Sequence, residues 1–376
     1  MSEAAFDVVI VGAGIVGAAC ANECVRQRMR IAIVDGDMIG GGATAAGMGH
    51  IVVMDDSEAQ FALTRYSQEL WREMRCTLSP DVEYEDCGTI WVAADEEEMA
   101  EVRRKQIYYS QRGVPVEVLD RNAMQQAEPN LRKGLAGGLL VPRDAVIYPP
   151  CAARFLIERA RMNDAEIHLG CAVSEIGKGI VRLNNGKRFS CGVIINAAGS
   201  GAGLLTPGLP IKRRKGHLVI TDRYPGFVQH QLVELGYLKS AHSISGDSVA
   251  FNVQPRKTGQ ILIGSSRQYD VEEKQIDNPI LGRMMSRAAE YMPNLARLST
   301  IRAWTGFRAA TPDKLPLIGP WPGDSTLFLA TGHEGLGITT SLATARLLVD
   351  QIASRESAIP VEPYLPSRIF SEHAHA

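Results

Sequence analysis

Apolar positions recur along this chain with two periods, and the change of period marks out its parts. Phe6-Asp7-Val8-Val9-Ile10-Val11 is an almost continuous β-branched run, the pattern of a strand buried on both faces of a parallel sheet. It leads into Gly12-Ala13-Gly14-Ile15-Val16-Gly17, and an alanine-rich segment with helical spacing follows over 18–28. Ile31-Ala32-Ile33-Val34 is a second buried strand, and it ends at Asp35, 18 residues after Gly17. A G-x-G-x-x-G alone is a weak signal. With strands on both sides, a helix between them and the acid in place it reads as a dinucleotide fingerprint. Gly12 permits the tight turn, Gly14 lets a pyrophosphate approach the backbone, and Gly17 lets helix and strand pack closely. The helix start offers its N–H groups and positive dipole end to the phosphates, and Asp35 stands where a ribose-binding carboxylate belongs.

Small residues dominate Gly40 to His50. Composition alone makes this a flexible loop, but its place after the second strand favours backbone lying flat against a ligand. Asp56 to Met74 has helical spacing, and Gly88–Ala93 reads as a strand. Asp95 with Glu98 forms a capping-box-like start for a charged helix reaching Gln111. Another strand at Gly138–Val141, prolines at 142, 149 and 150, and a helix over Cys151–Met162 come next. Short strands near Glu166–Leu169 and Gly179–Leu183 precede the hairpin signal Asn185-Gly186. Val193–Gly199 then returns the chain to the parallel sheet. His217–Ile220, Ser248–Val253, Gln260–Gly264 and Thr300–Trp304 carry no helices between them except Asp277–Tyr291, which predicts an antiparallel sheet. The chain closes on strand Thr326–Ala330, a glycine turn over Thr331–Gly337, and a helix from Ile338 to Ser354. The architecture expected is α/β. A Rossmann-like domain in three pieces (1–79, 148–210, 304–366) is interrupted by an antiparallel-sheet substrate domain (80–147, 211–303), and 367–376 forms a tail.

Length and composition narrow this picture rather than change it. The 376 residues are enough for about two domains, and 45% hydrophobic with 22% charged residues is ordinary for a soluble globular protein. A net charge of -2 argues against a general nucleic-acid binder. No apolar run is long enough for a transmembrane helix, and the first strand starts too early to leave room for a signal peptide. The 7 cysteines include no C-x-x-C pair and read as reduced thiols in a cytoplasmic protein, not as a disulfide frame or metal site.

Six segments together carry a resemblance over nearly the whole chain. They are Gly12-Ala-Gly-Ile-Val-Gly17, Gly42-Ala-Thr-Ala-Ala-Gly47, Asn196-Ala-Ala-Gly199, Trp304-Thr-Gly-Phe-Arg308, Thr311-Pro-Asp-Lys-Leu-Pro-Leu-Ile-Gly319 and Thr331-Gly-His-Glu-Gly-Leu-Gly337. The chain resembles the D-amino-acid oxidase superfamily of FAD-dependent amine oxidoreductases. Gly-Phe-Arg followed by Thr-Pro-Asp, and the Thr331–Gly337 turn, are most similar to D-amino-acid dehydrogenases. The run from Ala45 to Asp56 resembles bacterial D-hydroxyproline dehydrogenases of β-subunit type. The resemblance implies a glutathione-reductase-type FAD-binding domain and a tightly held FAD. Gly12, Gly14, Ile15, Val16 and Gly17 would bind the pyrophosphate, and Asp35 with Gly36 the adenosine ribose, although the family usually has glutamate at Asp35. Ala43, Thr44, Gly47, Met48 and Gly49 would line the flavin, Val173 would pair with adenine through its backbone, and Ala198 and Gly199 would pass near the cofactor. Gly335, Leu336, Gly337, Ile338 and Thr339 would aim helix N–H groups at the flavin pyrimidine ring, where the reduced flavin is anionic. Gly306 stands where sarcosine oxidases attach flavin to cysteine, which implies noncovalent FAD. The activity implied is oxidation of an α-amino or α-imino acid by hydride transfer from Cα, passing electrons to oxygen or an acceptor protein, alone or as one subunit of a hetero-oligomeric dehydrogenase that reaches the membrane only through its acceptor chain.

Each candidate for substrate contact has a plainer reading beside it. Arg308 matches the arginine that holds the substrate carboxylate in glycine-oxidase-like enzymes, a task suited to its planar fork; the competing role is a surface salt bridge. His50 follows the flavin loop and is either a ring-facing group or a structural histidine. Tyr148, Tyr237, His242 and Phe251 are candidates for the pocket wall, with core packing as the alternative for each. Glu334 stands in the turn that carries an arginine in glycine oxidase. The run Lys212-Arg213-Arg214-Lys215 reads as a solvated turn, or else a docking patch for a partner subunit.

Overall fold

The run Phe6–Val11 lies within the strand Ala5–Val11, which pairs in parallel with Arg188–Asn196 on one side and Ile31–Val34 on the other. A computed structural model describes residues 5–236 and 246–371. The chain divides into two units, one of 1–82, 148–213 and 307–376, the other of 83–147 and 214–306.

In the first unit the parallel sheet extends from Ile31–Val34 to Glu166–His168 and from Arg188–Asn196 to Asp324–Thr331, which folds back antiparallel onto Leu317–Trp321. The hairpin of Val173–Gly177 and Ile180–Leu183 joins the start of the Arg188–Asn196 strand. Ile10, Ile33, Ile194 and their neighbours are fully buried, which is why these strands read as continuous apolar runs. The first helix, Ile15–Arg26, packs against the helix Pro149–Arg161 and the closing helix, Gly337–Ile352. Its small residues permit that close approach, and burial pushes the Cys20 thiol up to about 12. The described cysteines are free thiols.

The second unit is built on a sheet running in the order Lys212–Thr221, Ile261–Arg267, Ser248–Pro255, Gln231–Glu234, Thr89–Ala93, Gly137–Val141, Glu117–Asp120. The expectation of an antiparallel sheet needs correction: Gln231–Glu234 pairs in parallel with Thr89–Ala93, so the sheet is mixed. These two strands come from separate excursions of the chain, and no hairpin sets their relative direction. The helix Glu96–Gln111 starts as its capping signals require, with Asp95 accepting from the Glu98 N–H at 2.9 Å and Glu98 accepting from Ala94 N–H at 2.7 Å. The helix Asn278–Tyr291 covers the Ser248–Pro255 and Ile261–Arg267 strands, with Asp277 as its cap.

Two local expectations fail. Lys212–Lys215 is the start of a strand, not a solvated turn. Lys215 is buried, its main chain bridges to Gln268, and its Nζ donates to the Gln275 carbonyl at 2.5 Å. The segment expected as tail begins in a short helix, Arg368–Ser371, with Arg368 Nε donating to Asp313 at 2.6 Å. No helix among the described residues is long and apolar enough to cross a membrane. No cluster of three or more metal-ligating side chains occurs among them.

Candidate cofactor and substrate site

The glycine turn is fixed by backbone packing. At Gly12, where φ is +112°, a Cβ would lie 2.5 Å from the Ala197 carbonyl oxygen, and at Gly17 it would lie 1.9 Å from the Gly12 carbonyl oxygen. No side chain fits at either position. Gly14 is the extended N-cap residue of the first helix and brings no capping side chain of its own. Thr44 Oγ1 instead accepts from the Ile15 N–H at 3.0 Å. The N–H cradle expected of this turn is therefore narrower than its sequence implies: Thr44 already holds the Ile15 amide, and Val16 and Gly17 provide the rest of the unpaired first turn. Asp35 turns toward the same loop. Its Oδ2 accepts from Ala13 N–H at 2.6 Å and its Oδ1 from Asp37 N–H at 2.8 Å, so the carboxylate braces the turn directly. Cys171 N–H donates to the Asp35 carbonyl at 3.0 Å, which sets Gly36 against Ala172 and the start of the Val173–Gly177 strand beside the end of the second strand.

The small-residue loop is ordered by contacts at both ends. Gly40 N–H donates to Ala13 O at 2.9 Å, and a Cβ on Gly40 would meet Pro150 at 3.0 Å. This places the start of the Pro149–Arg161 helix, capped by Tyr148, beside the loop; Tyr148 N–H donates to Val82 O at 2.6 Å. Gly42–Ala45 makes a single helical turn with Ala43 exposed and Thr44 buried. A Cβ on Gly47 would lie 2.5 Å from Ile338 Cδ1, and Thr339 Oγ1 donates to the His50 carbonyl at 2.7 Å. Gly47, the buried Met48 and Gly49, and the half-buried His50 are thus tied to the first turn of the closing helix. Ala198 and Gly199 are held by Asn196, which accepts from Ala198 N–H at 3.2 Å and donates to Ala202 O and Thr206 Oγ1; Thr331 Oγ1 donates to Gly199 O at 3.0 Å.

The closing turn brings the remaining candidates together. Ala309 and Ala310 pair with Glu334 and His333, which sets Arg308 opposite Gly335; a Cβ there would lie 3.6 Å from Arg308 Nε. Gly306 lies two residues earlier on the same strand. His333 is buried with Nε2 2.9 Å from Thr344 Oγ1, and burial pushes its pKa down to about 3. A Cβ on Gly337 would lie 3.9 Å from Val16 Cγ2, so the first and closing helices start side by side. Neither start is capped by the side chain of the residue that precedes it, whereas Ser57, Asp95, Asp120 and Asp277 cap the helices they precede.

Two neighbouring helix N-termini with open N–H groups, a glycine turn and a loop of small residues suit an extended, doubly anionic dinucleotide. These residues fit FAD. The pyrophosphate would take the first helix start, and Gly335 to Thr339 would face the flavin. Of the pocket-wall candidates, Phe251 belongs elsewhere: it is fully buried in the core of the second unit, stacked on Tyr291 at 4.5 Å between ring centroids. An aromatic at an inward strand position satisfies core packing as readily as a pocket, which is why its pattern did not distinguish them. Tyr237 and His242 lie outside the described residues. The bracing roles of Asn196, Thr339 and His333 escaped the sequence, because each depends on a hydrogen-bond partner that spacing does not reveal.

A family model for FAD-dependent oxidoreductases of the DAO type matches residues 7–351. Among curated proteins, hydrogen cyanide synthase subunit HcnC of Pseudomonas aeruginosa is 28% identical, covering 98% of this chain and 97% of its own. Glycine oxidase of Geobacillus kaustophilus is 26% identical, covering 96% and 97%. The crystal structure of glycine oxidase from G. kaustophilus matches with a TM-score of 0.86 at 25% identity over 97% of this chain and 98% of that one. The crystal structure of L-proline dehydrogenase from P. horikoshii matches with a TM-score of 0.86 at 21% identity over 99% of each, a likeness of fold. Turn, loop, helix starts and family match agree over most of the chain, which belongs to the DAO family of FAD-dependent oxidoreductases.

Proposed function

We propose that this chain oxidises an α-amino or α-imino acid to its imine, with the second unit as its substrate domain. FAD, held without a covalent bond, supplies the two-electron acceptor for the hydride leaving Cα as the nitrogen lone pair forms the C=N bond. Arg308 carries the reading. Its side chain lies beside Gly335 at the turn that opens the closing helix, where a guanidinium fork can fix a substrate carboxylate in a bidentate grip. His50, with its backbone pinned by Thr339, and Tyr148, at the start of its helix, supply polar groups around the loop. The protein's contribution is to orient the substrate as its free amine, so no strong side-chain base is required. The substrate favoured is D-hydroxyproline or a related D-imino acid, supported by the resemblance of the run from Ala45 to Asp56. Glycine, sarcosine, opines and other D-amino acids are the alternatives, and relatives named glycine oxidase keep the small amines in view.

Anaerobic bleaching of the flavin band near about 450 nm tests the reading against D- and L-amino acids, proline analogues and opines. Bleaching by D-hydroxyproline and its loss in Arg308→Ala at unchanged flavin content are expected; bleaching by L-proline or opines alone overturns the substrate. A second reading, a flavin subunit that relays electrons inside a cytoplasmic complex, draws on the relative named as a subunit of hydrogen cyanide synthase. Silence of the purified chain until a partner is added would favour it.

A further inference from the structure

The short helix Arg368–Ser371 follows a segment that is tied down along its length within the first unit. Tyr364 is buried, and its hydroxyl donates to the Ala59 carbonyl at 2.6 Å. Gly319 makes room for the next residue, since a Cβ there would lie 3.0 Å from Leu365 Cδ2. Ile369 packs against the cluster that holds Leu317 and Leu329, and Phe370 meets Trp321 edge-on at 5.4 Å between ring centroids. Those contacts bury apolar surface. Arg368 does something different: its Nε donates to Asp313 Oδ2 at 2.6 Å, and its Nη2 donates to Asp313 Oδ1 at 3.1 Å and to the Leu315 carbonyl at 2.7 Å. The gripped turn closes on the same carbonyl, to which Thr311 Oγ1 donates at 2.8 Å, and Leu315 N–H donates to Asp313 Oδ1 at 3.1 Å.

The far side of Thr311 meets the closing turn. A Cβ on Gly332 would lie 2.6 Å from Thr311 Cγ2. Thr311 also directly follows Ala309 and Ala310, which pair with Glu334 and His333, and a Cβ on Gly335 would lie 3.6 Å from Arg308 Nε. Lys314 in the gripped turn and Glu334 in the closing turn are left-handed, with φ of +63° and +53°. A residue other than glycine keeps that conformation only where its surroundings hold it. We propose that Arg368 is a positioning residue: through Asp313 and Thr311 it holds the closing turn in the form that aims Arg308 at the substrate carboxylate. The inference rests on the reading of Arg308 as the carboxylate holder of an amino- or imino-acid oxidoreductase. The two side chains of the pair are only 17% and 28% exposed, so their fork is screened less than a surface bridge. Burial alone would raise the Asp313 carboxyl, but the Arg368 guanidinium holds it below its usual value.

The test measures kcat and KM of the FAD-loaded enzyme with the amino or imino acid that bleaches the flavin most strongly. Wild type is compared with Arg368→Met, Asp313→Asn and the double variant. Each single variant is expected to raise KM by about tenfold, the scale of one charge-assisted hydrogen bond, with kcat little changed because the carboxylate grip is ground-state binding. The double variant should be no worse than either single one, since both break the same link. A merely structural role would lower thermal stability or flavin content and leave the KM of the loaded enzyme where it was. An unchanged KM in either single variant that retains flavin, additive losses in the double variant, or loss of flavin from every variant overturns the inference and leaves the amino-acid reading standing. Failure of every amino and imino acid to reduce the wild-type flavin overturns both.

Discussion

Acid is expected to loosen the closing turn through His333. The imidazole is buried against Thr344 with its pKa pushed from 6.5 down to about 3. In the unfolded chain the same group titrates near about 6.5. Between those values the unfolded state binds a proton that the folded state refuses, so stability falls as pH drops through that window and is unaffected by this group above it. At pH 5 the loss is about 2 kcal/mol, from about 1.5 pH units at roughly 1.36 kcal/mol each. The perturbation that isolates this effect is His333→Gln, which keeps a hydrogen-bonding group near Thr344 and does not titrate. Urea unfolding of the FAD-loaded proteins, followed by far-ultraviolet circular dichroism, would be compared at pH 8 and pH 5. The variant should be the less stable at pH 8, through imperfect packing, and its deficit should shrink by about 2 kcal/mol at pH 5. Every other titrating group is common to both proteins and cancels in that difference. Because the His333 carbonyl accepts from Leu336 N–H at 2.9 Å, just ahead of the closing helix, flavin retention should fall more steeply on acidification in the wild type than in the variant. The same deficit at both pH values would refute the argument.

Three further substitutions probe the site and its frame. Gly17→Ala places a methyl 1.9 Å from the Gly12 carbonyl oxygen; the protein should purify without flavin, and a normal ratio of visible to ultraviolet absorbance would contradict the packing account. Asp35→Ala leaves the Ala13 N–H without its acceptor, and titration of the apoprotein should show FAD binding weakened by about 1–3 kcal/mol; an unchanged Kd would mean that the brace is idle. Phe251→Ala removes the ring stacked on Tyr291 and should lower stability by about 3–5 kcal/mol while flavin is retained; a drop below about 1 kcal/mol would place the ring outside a packed core.

What the sequence displayed and what it concealed divide along the distance to each residue's partners. Gly12 and Gly17 oppose each other within one turn, and Asp95 caps an amide three residues ahead, so spacing alone reveals them. The buried strands of the first unit declare themselves because both faces are apolar, which makes the whole run conspicuous. Lys215 misled because a charged run ordinarily faces water, and its true partners, Gln268 and the Gln275 carbonyl, lie more than fifty residues further along the chain. The parallel junction of Thr89–Ala93 with Gln231–Glu234 leaves no trace in either segment, since register between separate excursions is decided by which faces bury together. Thr339 and His50 stand 289 residues apart, yet their hydrogen bond sets the small-residue loop on the closing helix. Even Asp35, at the expected place, does more than its position implied: the carboxylate reaches back across the glycine turn to Ala13. Asp35 thus shapes the loop itself, and contacts remote in sequence, from Asp35 and Thr44, hold the glycine turn that the fingerprint marks.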